Sequence, residues 1–206
     1  KRKVLYLCTM LVNFHTHCTY CDGKEVMDKL IRKAISLSVS QLGFSSHAPL
    51  PLNTGWTITT EESLMRYCME IIRKKNEYRG SIELFLGLEA DYIPDVTGDF
   101  SELKRKQSLD YIIGSVHLVA VPPAGELWFI DGRKDKFMEG LQTFFGNSIE
   151  KGIKAYYNQI SEMITTQQFD IIGHIDKIKL NAPAQSFSED ETWYRTMVMD
   201  VLHLIR

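Results

Sequence analysis

The sequence has 206 residues, enough for one sizeable domain with its own hydrophobic core. Its hydrophobic content of 44% and charged content of 24% are ordinary for a soluble globular protein. The formal net charge is -2 and no basic stripe stands out, so we do not expect a nucleic acid as a partner.

The first nine residues form a separate segment. Lys1, Arg2 and Lys3 precede an apolar stretch, as in a signal peptide, but the stretch is too short to span a bilayer and no small-residue cleavage site follows it. We therefore predict an N-terminal extension over residues 1–9, a single domain over residues 10–206, no membrane partner and a cytoplasmic location.

Four cysteines, at positions 8, 18, 21 and 68, do not suggest a disulfide framework. Cys18 and Cys21 have C-x-x-C spacing, which is compatible with a zinc or redox site, and free thiols are the alternative. Cys68 falls on the apolar face of a predicted helix, so we expect it in the core.

The first strand leads directly into two histidines. An apolar run over residues 10–14 is followed by His15 and His17, and side chains two residues apart on an extended strand project from one face. Asp22 and Gly23 then predict a turn that brings a carboxylate back toward the strand end. Imidazoles and a carboxylate in this arrangement are typical of a divalent metal site.

The rest of the chain alternates between helices and strands. Helices are predicted over 25–38, from Thr59 with a capping box to Glu62, over 134–145, over 148–168 and from Ser188 onward. Strands are predicted over 41–47, 81–89, 110–117 and 169–174, with a hairpin over 118–130. Alternation of this kind predicts an α/β fold with parallel strands.

The predicted strands share a feature at their carboxyl ends, where each carries a metal-ligand type of residue: His15 and His17, His47, Glu89, His117, and His174. In a closed (β/α) barrel these ends converge on one face, which carries the chemistry. The sixth histidine, His203, lies within the last helix, where we expect a structural or surface role.

The number of candidate ligands indicates more than one metal ion. Five imidazoles with Asp22 and Glu89 exceed the three or four protein ligands that a single zinc needs, so we expect at least two ions. Glu89 is the natural bridge, because each of its oxygens can bind one ion. Clustered divalent cations acidify a shared water and bind phosphoryl oxygens, which suggests hydrolysis of a phosphate ester.

Several motifs resemble those of the PHP (polymerase and histidinol phosphatase) superfamily, and more closely those of its monofunctional histidinol-phosphatases: Phe14-His15-Thr16-His17, Ser46-His47-Ala48-Pro49, Gly87-Leu88-Glu89, Gly114-Ser115-Val116-His117 and Gly173-His174-Ile175-Asp176-Lys177. The resemblance implies a distorted (β/α)7 barrel, phosphomonoesterase activity on L-histidinol phosphate and a metal-bridging hydroxide as the nucleophile. It also implies three zinc, iron or manganese ions: the first on His15, His17 and Glu89, the second on Glu89, His117 and His174, and the third on Asp22 and His47.

The sequence departs from the family pattern in one respect. The pattern ends with a further strand that bears an Asp-x-His pair, and the sequence contains none up to Arg206. We therefore expect a barrel that is incomplete at the C-terminus, weakened binding of the first and third metals, and impaired activity.

Residues that contact the substrate are harder to identify. An arginine fork recognises phosphate well, and Arg133 and Arg195 are the candidates. Asp176 could orient His174 or cap the local turn, and Lys177 and Lys179 are expected to be solvated.

Two other functions fit the same residues. One is hydrolysis of a different small phosphate ester, and the other is a non-catalytic metal-binding domain. Imidazole and carboxylate ligands suit zinc, iron and manganese alike, so the sequence predicts two to three divalent transition metals without choosing among them.

Overall fold

The computed structural model describes residues 10–122 and 125–205, so the predicted extension over 1–9 lies outside the described residues. The elements in chain order are β1 Leu11–Asn13, α1 Met27–Ser36, β2 Val39–Phe44, α2 Glu61–Glu77, β3 Glu83–Asp91, α3 Phe100–Gln107, β4 Tyr111–Ser115, β5 Leu118–Val121, β6 Glu126–Phe129, α4 Lys134–Phe145, α5 Ile149–Thr166, β7 Ile171–Ile172 and α6 Thr192–Leu204.

Five strands form one parallel sheet in the order β1-β2-β3-β4-β7. Its central strand β3 is buried on both faces, and residues such as Leu86 and Leu88 are almost fully excluded from water. Strands of this kind are apolar along most of their length because helices cover the sheet. The predicted parallel α/β architecture is confirmed, as an open and incomplete barrel with β1 and β7 at its two edges.

The predicted hairpin is also confirmed. Strands β5 and β6 pair antiparallel, with Leu118 opposite Phe129, and they lie between β4 and α4 in the chain. Trp128 on β6 is fully buried, and its Nε1 donates a hydrogen bond to the carbonyl oxygen of Phe137 on α4. The hairpin is thereby fixed to the helix that follows it.

Some local predictions were wrong. The helix-capping residue of α2 is Thr60, whose side chain accepts from the Ser63 N–H, so the capping box from Thr59 to Glu62 does not form. Helix α3 was not predicted, although Asp99 caps it by accepting from the N–H groups of Ser101 and Glu102. Helix α6 begins at Thr192, four residues after Ser188.

Two buried tyrosines connect the sheet to the segments that carry histidines. The Tyr111 ring lies against Gly43 and Gly87, where a Cβ atom would approach it to 2.3 Å, so both positions require glycine. Its hydroxyl donates to the carbonyl oxygen of Phe14 at 2.7 Å. The hydroxyl of Tyr67 donates to the carbonyl oxygen of Gly87 and accepts from the Ser46 N–H. These contacts fix the backbone beside His15, His47 and Glu89.

Within the described residues, no helix is both long and apolar enough to cross a membrane.

Candidate metal centre

Glu89, near the end of β3, is the centre of the histidine cluster. Its side chain is 1% exposed, and its two oxygens face different groups of imidazoles. Oε2 lies 3.0 Å from Nε2 of His15 and 3.0 Å from Nε2 of His17. Oε1 lies 3.0 Å from Nε2 of His174 and 3.6 Å from Nε2 of His117, and it accepts a hydrogen bond from Ser115 Oγ at 2.7 Å.

His47 completes the cluster but does not lie on a strand as predicted. Strand β2 ends at Phe44, and His47 forms an isolated parallel bridge with Glu89 three residues later. Its Nδ1 lies 3.5 Å from Glu89 Oε2. The imidazole rings then follow one another at centroid distances of 4.5 to 5.7 Å: His17 with His47, His47 with His117, His117 with His174, and His174 with His15. The five histidines, which follow four strands of the parallel sheet, therefore meet on one face of the sheet.

Asp22 approaches this cluster from the loop after β1. Its Oδ1 lies 3.4 Å from Nδ1 of His17 and 3.9 Å from Nε2 of His47, and its side chain is half exposed. Asp22 is therefore placed beside the Nε2 of His47, the nitrogen that does not face Glu89.

Asp91 is a member of the site that sequence reasoning missed. It is 3% exposed, and its Oδ1 accepts hydrogen bonds from Nδ1 of His117 at 2.6 Å and from the His117 backbone N–H at 3.1 Å. Its Oδ2 is 4.0 Å from Nδ1 of His47, and both atoms are buried without a hydrogen-bond partner among the described residues. A usable signal existed, because Asp91 and Glu89 are two residues apart on one strand and so share a face.

The charge at Glu89 is strongly stabilised. Burial favours the neutral acid, but the hydrogen bonds from His15, His17 and His174 outweigh it and hold the pKa of the Glu89 carboxyl far below its ordinary range. Burial lowers the pKa of His17, whereas contacts with Cys21 and Glu89 raise it, and the result is a pKa of about 10. For His47 burial dominates and lowers the pKa to about 4. In the absence of cations, protons on imidazoles such as His17 therefore balance the buried carboxylate.

An ion pair between Asp131 and Lys177 lies beside the histidine cluster. Asp131, in the loop after β6, has its Oδ2 4.0 Å from Nε2 of His117 and 2.8 Å from Nζ of Lys177. Lys177 was expected to be solvated, but its side chain is only 22% exposed because it packs against this carboxylate. Asp131 gave no local signal in the sequence, since a loop aspartate is usually on the surface.

Three predicted substrate or supporting residues are paired with side chains outside the histidine cluster. Arg133 forms an ion pair with Asp135 and is 81% exposed, and Arg195 lies 4.0 Å from Asp190 and is 69% exposed. Asp176 is exposed and lies 3.5 Å from Lys179, and none of its hydrogen bonds within the described residues reaches the ring of His174. The carboxylate that does orient a histidine is Asp91.

The C-x-x-C pair is part of the loop beside His17. Cys18, Cys21 and Cys68 are free thiols; Cys18 and Cys68 are buried, as predicted for Cys68. Cys21 Sγ lies 3.4 Å from Nδ1 of His17, and Cys18 Sγ lies 3.4 Å from Ser46 Oγ. Cys21 therefore helps to hold the ring of His17.

The donor set fits divalent metal ions. Among the residues that the structure describes, four overlapping groups of side chains bring their ligand atoms within 4.8 Å of one another: His15, Glu89 and His174; His17, His47 and Glu89; His17, Cys21 and Asp22; and His47, Asp91 and His117. A buried carboxylate with one group of imidazoles at each oxygen, and buried His47 Nδ1 and Asp91 Oδ2 atoms without partners, are consistent with a site that binds cations.

Comparison with curated proteins finds relatives that share one name. The chain is 26% identical over 171 residues to the "Probable histidinol-phosphatase" of Deinococcus radiodurans, a match covering 82% of this chain and 61% of that protein. It is 28% identical over 187 residues to the protein of the same name from Schizosaccharomyces pombe, a match covering 84% of this chain and 58% of that protein. It is 28% identical over 181 residues to the "Histidinol-phosphatase" of Bacillus subtilis, with 80% and 65% covered. The chain thus spans about three fifths of the length of these relatives.

Solved structures share the fold. The "putative histidinol phosphatase hisK" of Listeria monocytogenes superposes with a TM-score of 0.77 at 20% identity, covering 94% of this chain and 78% of that one. The histidinol phosphate phosphatase of Lactococcus lactis, solved with zinc, L-histidinol and phosphate, gives a TM-score of 0.65 at 16% identity. The match covers 95% of this chain and 69% of that one. The PHP domain model matches residues 13–205, nearly the whole of this sequence. This chain therefore belongs to the PHP domain family.

Proposed function

We propose that this protein is a metal-dependent phosphomonoesterase that hydrolyses L-histidinol phosphate to L-histidinol and phosphate. The observation that carries the proposal is the division of imidazoles between the two oxygens of Glu89, with His15 and His17 at Oε2 and His117 and His174 at Oε1. A carboxylate that is buried in this way can bridge two cations.

The substrate in this proposal is taken from the names and bound ligands of similar proteins. Three curated proteins that this chain resembles carry the name histidinol-phosphatase. The Lactococcus lactis protein with the same fold binds zinc, L-histidinol and phosphate. We extend that substrate and that metal to this chain, which spans only part of the length of the curated relatives.

The proposed ligand sets are those that the family resemblance implies, and the contacts of both Glu89 oxygens support them. Two ions would share Glu89, one with His15 and His17 and the other with His117 and His174, and a third would lie at Asp22 and His47. Divalent ions held there would supply Lewis acidity toward a phosphoryl group and an acidified water as the nucleophile. Zinc, iron and manganese all suit these donors.

Neighbouring residues would orient the ligands and the substrate. Ser115 Oγ donates to Glu89 Oε1 and so fixes the rotation of the carboxylate. Asp91 keeps the Nδ1 proton on His117, which leaves Nε2 free to bind a cation. Lys177 supplies a positive charge at the edge of the cluster, where a phosphate dianion would be stabilised.

Metal analysis combined with a substrate panel tests the proposal. We expect purified protein to hold at least two equivalents of transition metal and to release phosphate from L-histidinol phosphate faster than from nucleotide or sugar phosphates. Glu89→Gln should lose most of the metal and the activity. Glu83→Gln is the matched control, because Glu83 lies on the same strand but is exposed and contacts Gln41.

Each other outcome points to a different function. Faster release from another ester would favour a phosphoesterase with a different substrate. Tight metal binding without hydrolysis of any ester would favour a metal-binding domain. Hydrolysis that survives both chelation and Glu89→Gln would contradict a metal-dependent reaction.

A further inference from the structure

A large cavity begins beside the proposed metal centre. Its volume is about 690 Å³, and its lining includes Asp131, Trp56 and Phe129. The Trp56 and Phe129 rings pack edge to face, with centroids 6.0 Å apart, and Phe129 is 39% exposed. Asp131 is also 4.0 Å from His117 Nε2, so this one residue both lines the cavity and lies beside the metal centre.

The loop that carries Asp131 is held by three hydrogen bonds, to His117 and to Asn181. The Ile130 N–H donates to the carbonyl oxygen of His117 at 3.2 Å. Buried Asn181 donates through Nδ2 to the carbonyl oxygens of Ile130 and Gly132 at 3.0 and 3.3 Å. The carboxylate is thus placed by the fold, as expected for a group that recognises a ligand.

Asp131 and Lys177 form a paired negative and positive charge between the cavity lining, which includes Asp131, and the ring of His117. Their 2.8 Å contact is partly exposed, with Asp131 31% and Lys177 22% accessible. Both charges remain within reach of a small molecule bound there. A ligand that carries one negative and one positive group could replace this contact with two new ones of the same kind, so that neither side chain is left unpaired.

We propose that the Asp131–Lys177 pair selects phosphate esters that carry an ammonium group next to the ester carbon. In this arrangement Lys177 forms an ion pair with the phosphate and Asp131 forms one with the ammonium group. The ring of the alcohol lies in the cavity against Trp56 and Phe129. The ligand class is a zwitterionic aminoalkyl phosphate with a planar ring. This inference rests on the proposed function and adds the residues that determine its specificity.

A comparison of two substrates that differ only in the ammonium group tests this directly. L-histidinol phosphate and 3-(imidazol-4-yl)propyl phosphate share the phosphate and the ring. We expect the wild type to prefer the first in kcat/KM by about tenfold to a hundredfold, as for a hydrogen bond to a charged group. Asp131→Asn should reduce this preference to about twofold or less, by lowering kcat/KM for the first ester only.

Other variants separate the two charges and the ring contacts. Lys177→Met should raise KM for both esters by similar factors, and Trp56→Leu should do the same through loss of the aromatic wall. Asp190→Asn is the matched control, because Asp190 is exposed, lies near Arg195 and does not line this cavity. It should leave the preference unchanged. Asp131→Ser serves as a second variant if Asp131→Asn does not fold.

Binding measurements separate this inference from the proposed function. The alcohols L-histidinol and 3-(imidazol-4-yl)propanol can be titrated by calorimetry whether or not the protein hydrolyses either ester. Stronger binding of L-histidinol that Asp131→Asn abolishes would support the inference even if hydrolysis of its phosphate failed. A preference for the amino compound that survives Asp131→Asn, or equal binding of the two alcohols by the wild type, would overturn it.

Discussion

Asp91 Oδ1 accepts hydrogen bonds from both the backbone N–H and the ring Nδ1 of His117, at 3.1 and 2.6 Å. The two residues lie on neighbouring strands or at their ends, and both are almost fully buried. An ionised carboxylate can only accept, so Nδ1 of His117 carries a proton, and the ring Nε2 points toward Glu89 and His174. The contact fixes both the orientation and the tautomer of the ring.

We expect Asp91→Ala to weaken metal binding by about 10- to 100-fold, the usual effect of removing a carboxylate that supports a ligating histidine. Asp91→Asn should have a smaller effect, because an amide oxygen can still accept from Nδ1. Competition with a zinc-binding dye measures the affinity. Asp176→Asn is the control, since the Asp176 side chain contacts Lys179. Equal losses in Asp91→Ala and Asp176→Asn would contradict the assignment of Asp91.

Metal binding should release protons at neutral and mildly alkaline pH. With no metal bound, the pKa of His17 is about 10, against an ordinary 6.5, so this ring is protonated across most of that interval. A metal ion can bind only the neutral ring, so binding must displace the proton. The apparent affinity should therefore rise with pH up to about 10 and level off above it.

Calorimetric titration of the metal-free protein with zinc, at about pH 8 in buffers of different ionisation enthalpy, measures this release. His17→Gln should release fewer protons for each zinc bound. His203→Gln should behave as the wild type, because His203 is exposed on α6. Zinc binding that is independent of pH between 7 and 9 would show that His17 is already neutral.

The arginines that sequence reasoning selected should matter little. Arg133 lines the cavity that contains Asp131, but its guanidinium is paired with Asp135. Arg195 lines a separate cavity with Tyr157 and Asp176. Exposed ion pairs contribute about 0–1 kcal/mol. We therefore expect Arg133→Ala and Arg195→Ala to change kcat/KM for a phosphate ester by less than about threefold. A loss above about tenfold in either variant would indicate a contact with bound phosphate.

The sequence predicted most of the cluster because strand ends in a parallel sheet share one edge. That rule placed His15, His117 and His174 without any knowledge of side-chain packing. It could not find Asp131, whose position depends on the β5–β6 hairpin and on contacts with Lys177. A long cationic side chain turns toward the carboxylate that the fold places near it, and the sequence does not show which carboxylate that is. We therefore expected Lys177 to be solvated and Arg195 to contact the substrate, whereas Lys177 pairs with Asp131 and Arg195 lies near Asp190. Helix α3 was missed because only Phe100 of its eight residues is buried, so its apolar periodicity is weak.

Tyr67 provides a test of how the core supports the site. Its ring is fully buried, and its hydroxyl joins the Ser46 N–H, next to His47, to the carbonyl oxygen of Gly87, two residues before Glu89. Tyr67→Phe keeps the ring and leaves both backbone groups without a partner. An unsatisfied buried polar group costs about 1–3 kcal/mol, so we expect the free energy of unfolding to fall by about 2 kcal/mol.

Urea denaturation measures this change. Tyr78→Phe is the control, because the Tyr78 hydroxyl donates to the side chain of Asp28 at a half-buried position and its removal should cost less than about 1 kcal/mol. The Tyr67→Phe protein should also bind zinc more weakly, since the backbone on both sides of the cluster loses its common anchor. If Tyr67→Phe and Tyr78→Phe were equally stable and Tyr67→Phe bound zinc normally, the hydroxyl would not be needed to hold His47 and Glu89 in place.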